Sequence, residues 1–138
     1  MTLTVTGDDL ITKVRETADA APDFVYKHSE CVNVERDSTG TLAGSCLIGK
    51  AVVALGIDPQ AIFDRHNGDD AVTLMVTLGI CHTRSEAAWL DRAQYEQDNG
   101  LGWGLAVKSA DLFCPEIAGL SDAEQHALQA GLVAARPR

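Results

Sequence analysis

Four cysteines carry the most specific chemistry in this sequence of 138 residues: Cys31, Cys46, Cys81 and Cys114. No two of them form a Cys-x-x-Cys pair, which argues against thioredoxin-like and zinc-ribbon motifs. A tetrahedral zinc site is nevertheless conceivable, because His28 lies three residues before Cys31. Its chemistry is sound, since thiolate and imidazole groups are suitable ligands for zinc. Its ligands would be His28, Cys31, Cys46 and either Cys81 or His82. The spacing gives this site little support, so we expect ordinary thiols, no metal and no cofactor.

Cys46 is also a candidate catalytic nucleophile. It stands where a predicted helix begins, and the free backbone N–H groups and dipole of a helix lower the pKa of a thiol at such a position. A nucleophilic cysteine also needs a base, and the spacing of the four histidines identifies none. The alternative is that Gly44 and Gly49 allow close packing of the backbone while Cys46 fills a small gap in the core.

A second set of polar residues lies on the longest predicted helix, residues 84–98, and just beyond it. Two carboxylates seven residues apart share a helix face, where they can act as an acid–base pair or bind a hard cation. A solvated helix face is the commoner outcome, and a tryptophan at this spacing is more often part of the core. The candidate binding residues are Asp91, Gln94, Gln97, Asp98 and Trp103.

Several motifs of nucleotide and hydrolase sites are absent. The sequence contains no P-loop, no strand-linked Gly-x-Gly-x-x-Gly, no His-Glu-x-x-His and no Gly-x-Ser-x-Gly. The glycine-rich segment 100–104 follows a predicted helix rather than a strand, so we interpret it as a turn between helices.

Capping signals and apolar spacing predict six or seven helices. The predicted starts are Thr6 with Asp9, Cys46, Asp58 before Pro59, Asp69 or Asp70, Thr83 with Glu86, and Ser121 with Glu124. A further helical segment begins at Trp103. The segment after Asp70 is apolar on nearly all sides, which predicts a helix central to the core, with a buried strand as the alternative.

Alternating or β-branched residues predict short strands at 3–6, 24–27, 31–36 and 41–45. Residues 37–40 form a strong turn signal, so the last two strands are expected to make a hairpin that packs on helices. The sequence therefore predicts a mostly helical α+β fold with a small antiparallel sheet near its N-terminal half. We expect one globular domain over residues 1–138.

The charge is strongly acidic, with 20 Asp and Glu against 11 Lys and Arg. This balance argues against direct nucleic-acid binding, which needs a basic face. No apolar run approaches the roughly 20 residues that span a bilayer, and the first nine residues lack a signal-peptide pattern. We therefore expect a cytoplasmic protein with no membrane contact. Much of the negative charge also stands near predicted helix starts, where the helix dipole favours it.

Two segments resemble small proteins of actinobacteria and their bacteriophages. The first is Ser45-Cys46-Leu47-Ile48-Gly49, and the second is Gln97-Asp98-Asn99-Gly100 followed by Trp103-Gly104. The usual layout of that family adds an opening helix and an aspartate–aromatic–valine–tyrosine stretch, here residues 23–26. The family carries no known activity, so the resemblance implies no catalytic residue. Lys50 stands where the layout has a histidine, which argues against a Cys–His or metal role there.

The lack of catalytic motifs in an intact globular pattern favours a non-enzymatic accessory protein that binds a protein partner. A phage origin would make that partner a host protein, since small acidic phage proteins often act in this way. Two alternatives stay open: a cysteine-dependent enzyme that uses Cys46, and a nucleic-acid mimic with its carboxylates on one face. A homodimer is expected if a tryptophan lies in an exposed apolar patch.

Overall fold

Eight helices and one antiparallel pair of strands form the described part of the chain, residues 4–27 and 32–135 of a computed structural model. The helices are α1 (Gly7–Ala20), α2 (Leu47–Ala54), α3 (Pro59–Arg65), α4 (Ala71–Leu78), α5 (Arg84–Asp98), α6 (Trp103–Phe113), α7 (Pro115–Ala118) and α8 (Asp122–Ala135). The strands are β1 (Val34–Arg36) and β2 (Leu42–Gly44). The predicted α+β, mostly helical class is confirmed, and the short α7 is the helix that the sequence did not indicate.

Local capping groups fix where the helices begin. The Thr6 hydroxyl accepts the Asp9 N–H at 3.2 Å, while the Asp9 carboxylate accepts the Thr6 N–H at 3.0 Å. Thr83 and Glu86 form the same reciprocal pair at the start of α5. Each such pair satisfies two N–H groups that a helix leaves without an internal partner. The predicted starts of α1 and α5 are therefore confirmed.

The hairpin forms where the turn signal placed it, with strands shorter than predicted. Val34 pairs with Gly44 and Arg36 with Leu42. The Asp37 carboxylate closes the turn by accepting the Thr39 N–H at 2.8 Å, the Thr39 hydroxyl at 2.6 Å and a further backbone N–H. These bonds stabilise the ionised form and lower the pKa of Asp37.

Two of the predicted strands are wrong. Residues 4–6 contribute a single parallel bridge between Thr6 and Cys81, because α1 begins immediately afterwards. Residues 24–27 pair with no strand in the described ranges, and they form neither a turn nor a bend. High β propensity does not create a strand without a partner backbone to complete the ladder.

Helix α4 is less buried than its apolar composition predicts. Leu74 and Met75 are fully buried, but Val76 is 66% exposed, so one face of α4 meets solvent. The prediction of a helix rather than a strand is confirmed, but only one face of this helix lies in the core.

Among the described residues, no helix combines the length and the apolar character that crossing a membrane requires.

A polar triad joins three helices at the centre of the fold. Trp89 of α5 is fully buried, and its indole N–H donates to Asp111 of α6 at 2.8 Å. The guanidinium of Arg15 of α1 donates to both oxygens of the same carboxylate, at 2.9 and 2.6 Å. It also lies 5.0 Å from the centre of the Trp89 ring. Bidentate geometry of this kind fixes orientation as well as distance, so α1, α5 and α6 are held in one arrangement.

The hairpin touches α2 so closely that no side chain fits between them. A Cβ atom added at Gly49 would lie 1.8 Å from the Asn33 carbonyl oxygen. One added at Gly44 would lie 2.4 Å from the Lys50 Cα atom. Both obstacles are backbone, which cannot rotate away. Gly44 and Gly49 therefore allow the close backbone packing that the sequence suggests for them.

We expect Gly49→Ala to destabilise the protein by about 3 kcal/mol or more, because the new methyl group must displace the Asn33 backbone. Gly131→Ala is the matched control, since Gly131 is also helical and an added Cβ there meets nothing within 4 Å. That control should stabilise by about 0.5–1 kcal/mol through helix propensity. Urea unfolding of both variants measures the difference, and equal stabilities would contradict the close contact.

Candidate functional site

Two glutamines of α5 cap the first turns of two other helices. The Gln97 side-chain oxygen accepts the Leu47 N–H of α2 at 2.7 Å. It also accepts the Trp103 indole N–H at 3.3 Å. The Gln94 oxygen accepts the Ala71 N–H of α4 at 2.7 Å. Both glutamines and Trp103 are buried. Three of the five candidate binding residues therefore form hydrogen bonds inside the fold.

An acidic depression lies on the outer side of α5. Its volume is about 240 Å³, and its lining consists of Gly68, Asp70, Asp91, Gln94, Tyr95 and Asp98. The carboxylates of Asp91 and Asp98 thus meet in one site, together with the inner residue Gln94. Asp70 also caps α4 by accepting the Thr73 N–H at 2.7 Å. Within the described ranges, no three His, Cys, Asp or Glu side chains are placed to hold a metal ion.

An exposed stack of one arginine and two aromatic rings borders this depression. The Arg92 guanidinium lies 5.6 Å from the centre of the Tyr95 ring and 5.1 Å from that of Phe113. Tyr95 is 55% and Phe113 58% exposed. Large aromatic side chains in solvent are characteristic of binding surfaces when they lie together.

Sequence reasoning did not identify Tyr95 or Phe113. The signal for Tyr95 was present, because Asp91, Tyr95 and Asp98 follow the i, i+4, i+7 spacing of a single helix stripe. Gln94 lies beside this stripe, three residues after Asp91 and four before Asp98, and Gln97 lies further towards the buried side of α5. No comparable pattern marks Phe113, which becomes part of the surface only because α6 packs against α5.

A second and larger cavity lies beside the hairpin. Its volume is about 690 Å³, and its lining consists of residues 23–27 with Glu35, Gly44, Ser45 and Lys50. The hydroxyls of Tyr26 and Ser45 lie 3.2 Å apart, and the Tyr26 hydroxyl also donates to the Val32 carbonyl at 3.1 Å. Among the described lining residues, neither cavity includes a cysteine or a histidine.

Cys46 occupies the predicted helix start but is fully buried. Its sulfur accepts the Gly49 N–H at 3.3 Å and donates to the Asn33 side-chain oxygen at 3.4 Å. The Asn33 amide in turn donates to the carbonyls of His66 and Asp69, both at 3.0 Å. Cys46 therefore serves as a helix cap within a hydrogen-bond network. A nucleophilic role stays a prediction that requires this network to open.

The remaining metal and cysteine predictions have mixed outcomes. His28 and Cys31 lie outside the described residues, and the proposed zinc ligands therefore cannot be placed as a set. Cys46 and Cys114 are buried as free thiols, whereas Cys81 is exposed. Burial raises the pKa of the Cys114 thiol, and the nearby Glu116 charge raises it further. Cys114 is consequently held in its unreactive protonated form.

The glycine-rich segment 100–104 is the turn between α5 and α6, as interpreted from the sequence. The first N–H groups of α6 donate to backbone carbonyls of the neighbouring loop: Trp103 to Phe24 at 2.9 Å and Gly104 to Pro22 at 2.8 Å. A phosphate-binding helix start would need these groups to be unoccupied. This helix start instead anchors Pro22 and Phe24, at the beginning of the segment 24–27.

Comparisons with protein-family models, with curated proteins and with solved structures find no match to this chain. The resemblance to actinobacterial and phage proteins therefore stays a prediction.

We expect Gln97→Leu to lower the free energy of unfolding by about 2–4 kcal/mol, because two buried donors lose their acceptor at about 1–3 kcal/mol each. Gln129→Leu on the exposed face of α8 is the control and should change stability by less than about 0.5 kcal/mol. Chemical denaturation followed by circular dichroism measures both. A Gln97→Leu variant as stable as the control would refute the capping role.

Thiol labelling tests the burial of Cys46. In the folded protein, we expect Cys81 to react with a disulfide reagent as an exposed thiol does. Cys46 should react at least about a thousandfold more slowly, since its reaction requires opening of the fold. Mass spectrometry of the labelled peptides separates the sites, and Cys46→Ser confirms the assignment. Rapid labelling of Cys46 would instead favour the nucleophile hypothesis.

Proposed function

We propose that this chain is a non-catalytic module that binds a basic segment of another protein through the outer side of α5. The Tyr95 surface, as we name it, consists of Asp70, Asp91, Arg92, Tyr95, Asp98 and Phe113. The observation that carries the proposal is that Tyr95 belongs to both features of this surface. Its ring contributes to the exposed arginine–aromatic stack and to the wall of the acidic depression.

The residue types of the Tyr95 surface are those that contribute most to protein interfaces. Tyrosine and arginine are enriched among residues whose truncation costs the most binding energy. Arg92 also donates to the Ser109 hydroxyl at 3.4 Å, and its guanidinium lies against both rings. The aromatic side chains are thus ordered before a partner arrives, which reduces the entropy lost on binding.

Charge complementarity defines the partner's chemistry. Three aspartates surround the depression on a protein of net charge −9, so a lysine or arginine side chain is the favoured occupant. An apolar residue beside that cation would cover Tyr95 and Phe113. The resemblance to phage proteins favours a host protein as the source of this segment. A mimic of nucleic acid would need unbroken rows of carboxylates, whereas here the carboxylates alternate with aromatic rings.

The test begins with capture of binding proteins from an actinobacterial lysate and continues with titration of the purified captured protein. Tyr95→Ser should weaken binding about 30-fold, as expected for an interface residue worth 2 kcal/mol. Asp91→Asn should weaken binding less and should also reduce its dependence on salt concentration. Both changes are on exposed positions, so the fold is expected to persist.

Phe63→Ser is the matched control for this experiment. Phe63 is 41% exposed, and the Arg36 guanidinium lies 5.4 Å from the centre of its ring, so it reproduces an arginine–aromatic pair elsewhere on the molecule. Binding should be unchanged in this variant. The proposal fails if no protein is captured, if Tyr95→Ser binds normally, or if a second copy of this chain is the sole partner in sedimentation.

A further inference from the structure

Residues 24–27 have the composition of a strand without the pairing of one. Phe24, Val25 and Tyr26 belong to the residue types most enriched in β-strands. The segment makes no turn or bend, yet it joins neither β1 nor β2. A strand-forming segment that pairs with no strand in the described ranges is a template for pairing with another chain.

The two ends of this segment are anchored, and part of its backbone forms no hydrogen bond to any described residue. Phe24 donates its N–H to Ala21 at 3.1 Å and accepts the Trp103 N–H at 2.9 Å, and the Tyr26 hydroxyl bonds to the Val32 backbone. Val25 and Lys27 form no backbone hydrogen bond within the described ranges. In a strand, residues two apart direct their N–H and C=O groups to the same edge, so these two would together receive a neighbouring strand.

The larger cavity, beside the hairpin, offers the space that an incoming strand would occupy. Its volume of about 690 Å³ falls within the roughly 300–1,000 Å³ typical of ligand sites. All five residues from 23 to 27 line it, so the cavity follows the length of the segment. The lining also includes Gly44 and Lys50, whose backbones lie directly against each other. This contact between the hairpin and α2 fixes that part of the lining in place.

The charge at the cavity points to an acidic occupant. The ammonium groups of Lys27 and Lys50 form no ion pair or hydrogen bond within the described ranges, although the chain as a whole carries an excess of acidic residues. Asp23 and Glu35 also line the cavity, but Glu35 is already engaged in another interaction, so the two ammonium groups outnumber the one remaining carboxylate. An incoming carboxylate therefore finds two available cations here, in contrast to the Tyr95 surface.

We propose that this cavity binds an extended peptide segment that carries an acidic side chain. The segment adds as a strand along residues 24–27, with backbone hydrogen bonds to Val25 and Lys27 and with its carboxylate between Lys27 and Lys50. Main-chain bonds supply affinity in this mode of recognition, and side-chain contacts supply selectivity. The proposal does not depend on the Tyr95 surface, which selects the opposite charge.

A library of N-acetylated, C-amidated random hexapeptides, selected on the immobilised full chain, tests the proposal. We expect one enriched class that contains Asp or Glu among β-branched residues. In NMR titrations, its members should shift the amide signals of Val25 and Lys27. Val25→Pro removes one of the proposed donors and should weaken binding about tenfold, the equivalent of one net hydrogen bond.

A second variant keeps the test decisive if the Val25→Pro protein does not fold. The doubly substituted Lys27→Gln, Lys50→Gln protein changes two exposed positions, and it should lose the preference for acidic peptides while it keeps the fold. Tyr95→Ser should bind these peptides normally, which separates this site from the proposed function. The proposal is wrong if no acidic class is enriched, if enriched peptides shift other amides instead, or if the double variant retains the preference.

Discussion

The arrangement of this protein depends on two buried amide groups of α5. A helix leaves its first N–H groups without internal partners, and burying them is costly unless an acceptor comes from elsewhere. Gln94 and Gln97 supply that acceptor to α4 and α2. Because each bond is 2.7 Å long and enclosed, α5 cannot rotate or slide without leaving two helix starts unsatisfied. The longest of the described helices is therefore also the element that positions its neighbours.

The surface of α5 follows from the same constraint. Since the two glutamines point inward, the helical repeat turns Asp91, Tyr95 and Asp98 outward. The acidic depression forms where that outer stripe meets the turn before α4, which the Gln94 bond holds in place. The residues exposed on the outer side of α5 thus follow from how the helix starts of the interior are capped. A change of register in α5 would therefore remove the two glutamine caps and the acidic depression together.

Sequence reasoning recovered the features whose causes are local. Caps such as Thr83 with Glu86 depend on residues three apart, and the hairpin depends on one turn, so both were predictable. The candidate site was predicted only in part, because the polar residues of α5 divide between its two faces. From the sequence alone, a glutamine on a helix is expected to face solvent. Its capping role becomes visible only when the structure shows the start of another helix beside it. The prediction of a strand at 24–27 was wrong because a strand forms only beside a second strand, and the sequence of one segment does not specify that neighbour.

The triad of Arg15, Trp89 and Asp111 has a consequence for biosynthesis. The carboxylate that holds α1 lies 96 residues downstream of the arginine that it binds. During translation, α1 can form its capped turns early, and α2 can cover part of its apolar face as soon as residues 47–54 have been synthesised. The triad cannot form until Asp111 has been added, so α1 is locked against α5 and α6 only after it is able to pack on α2.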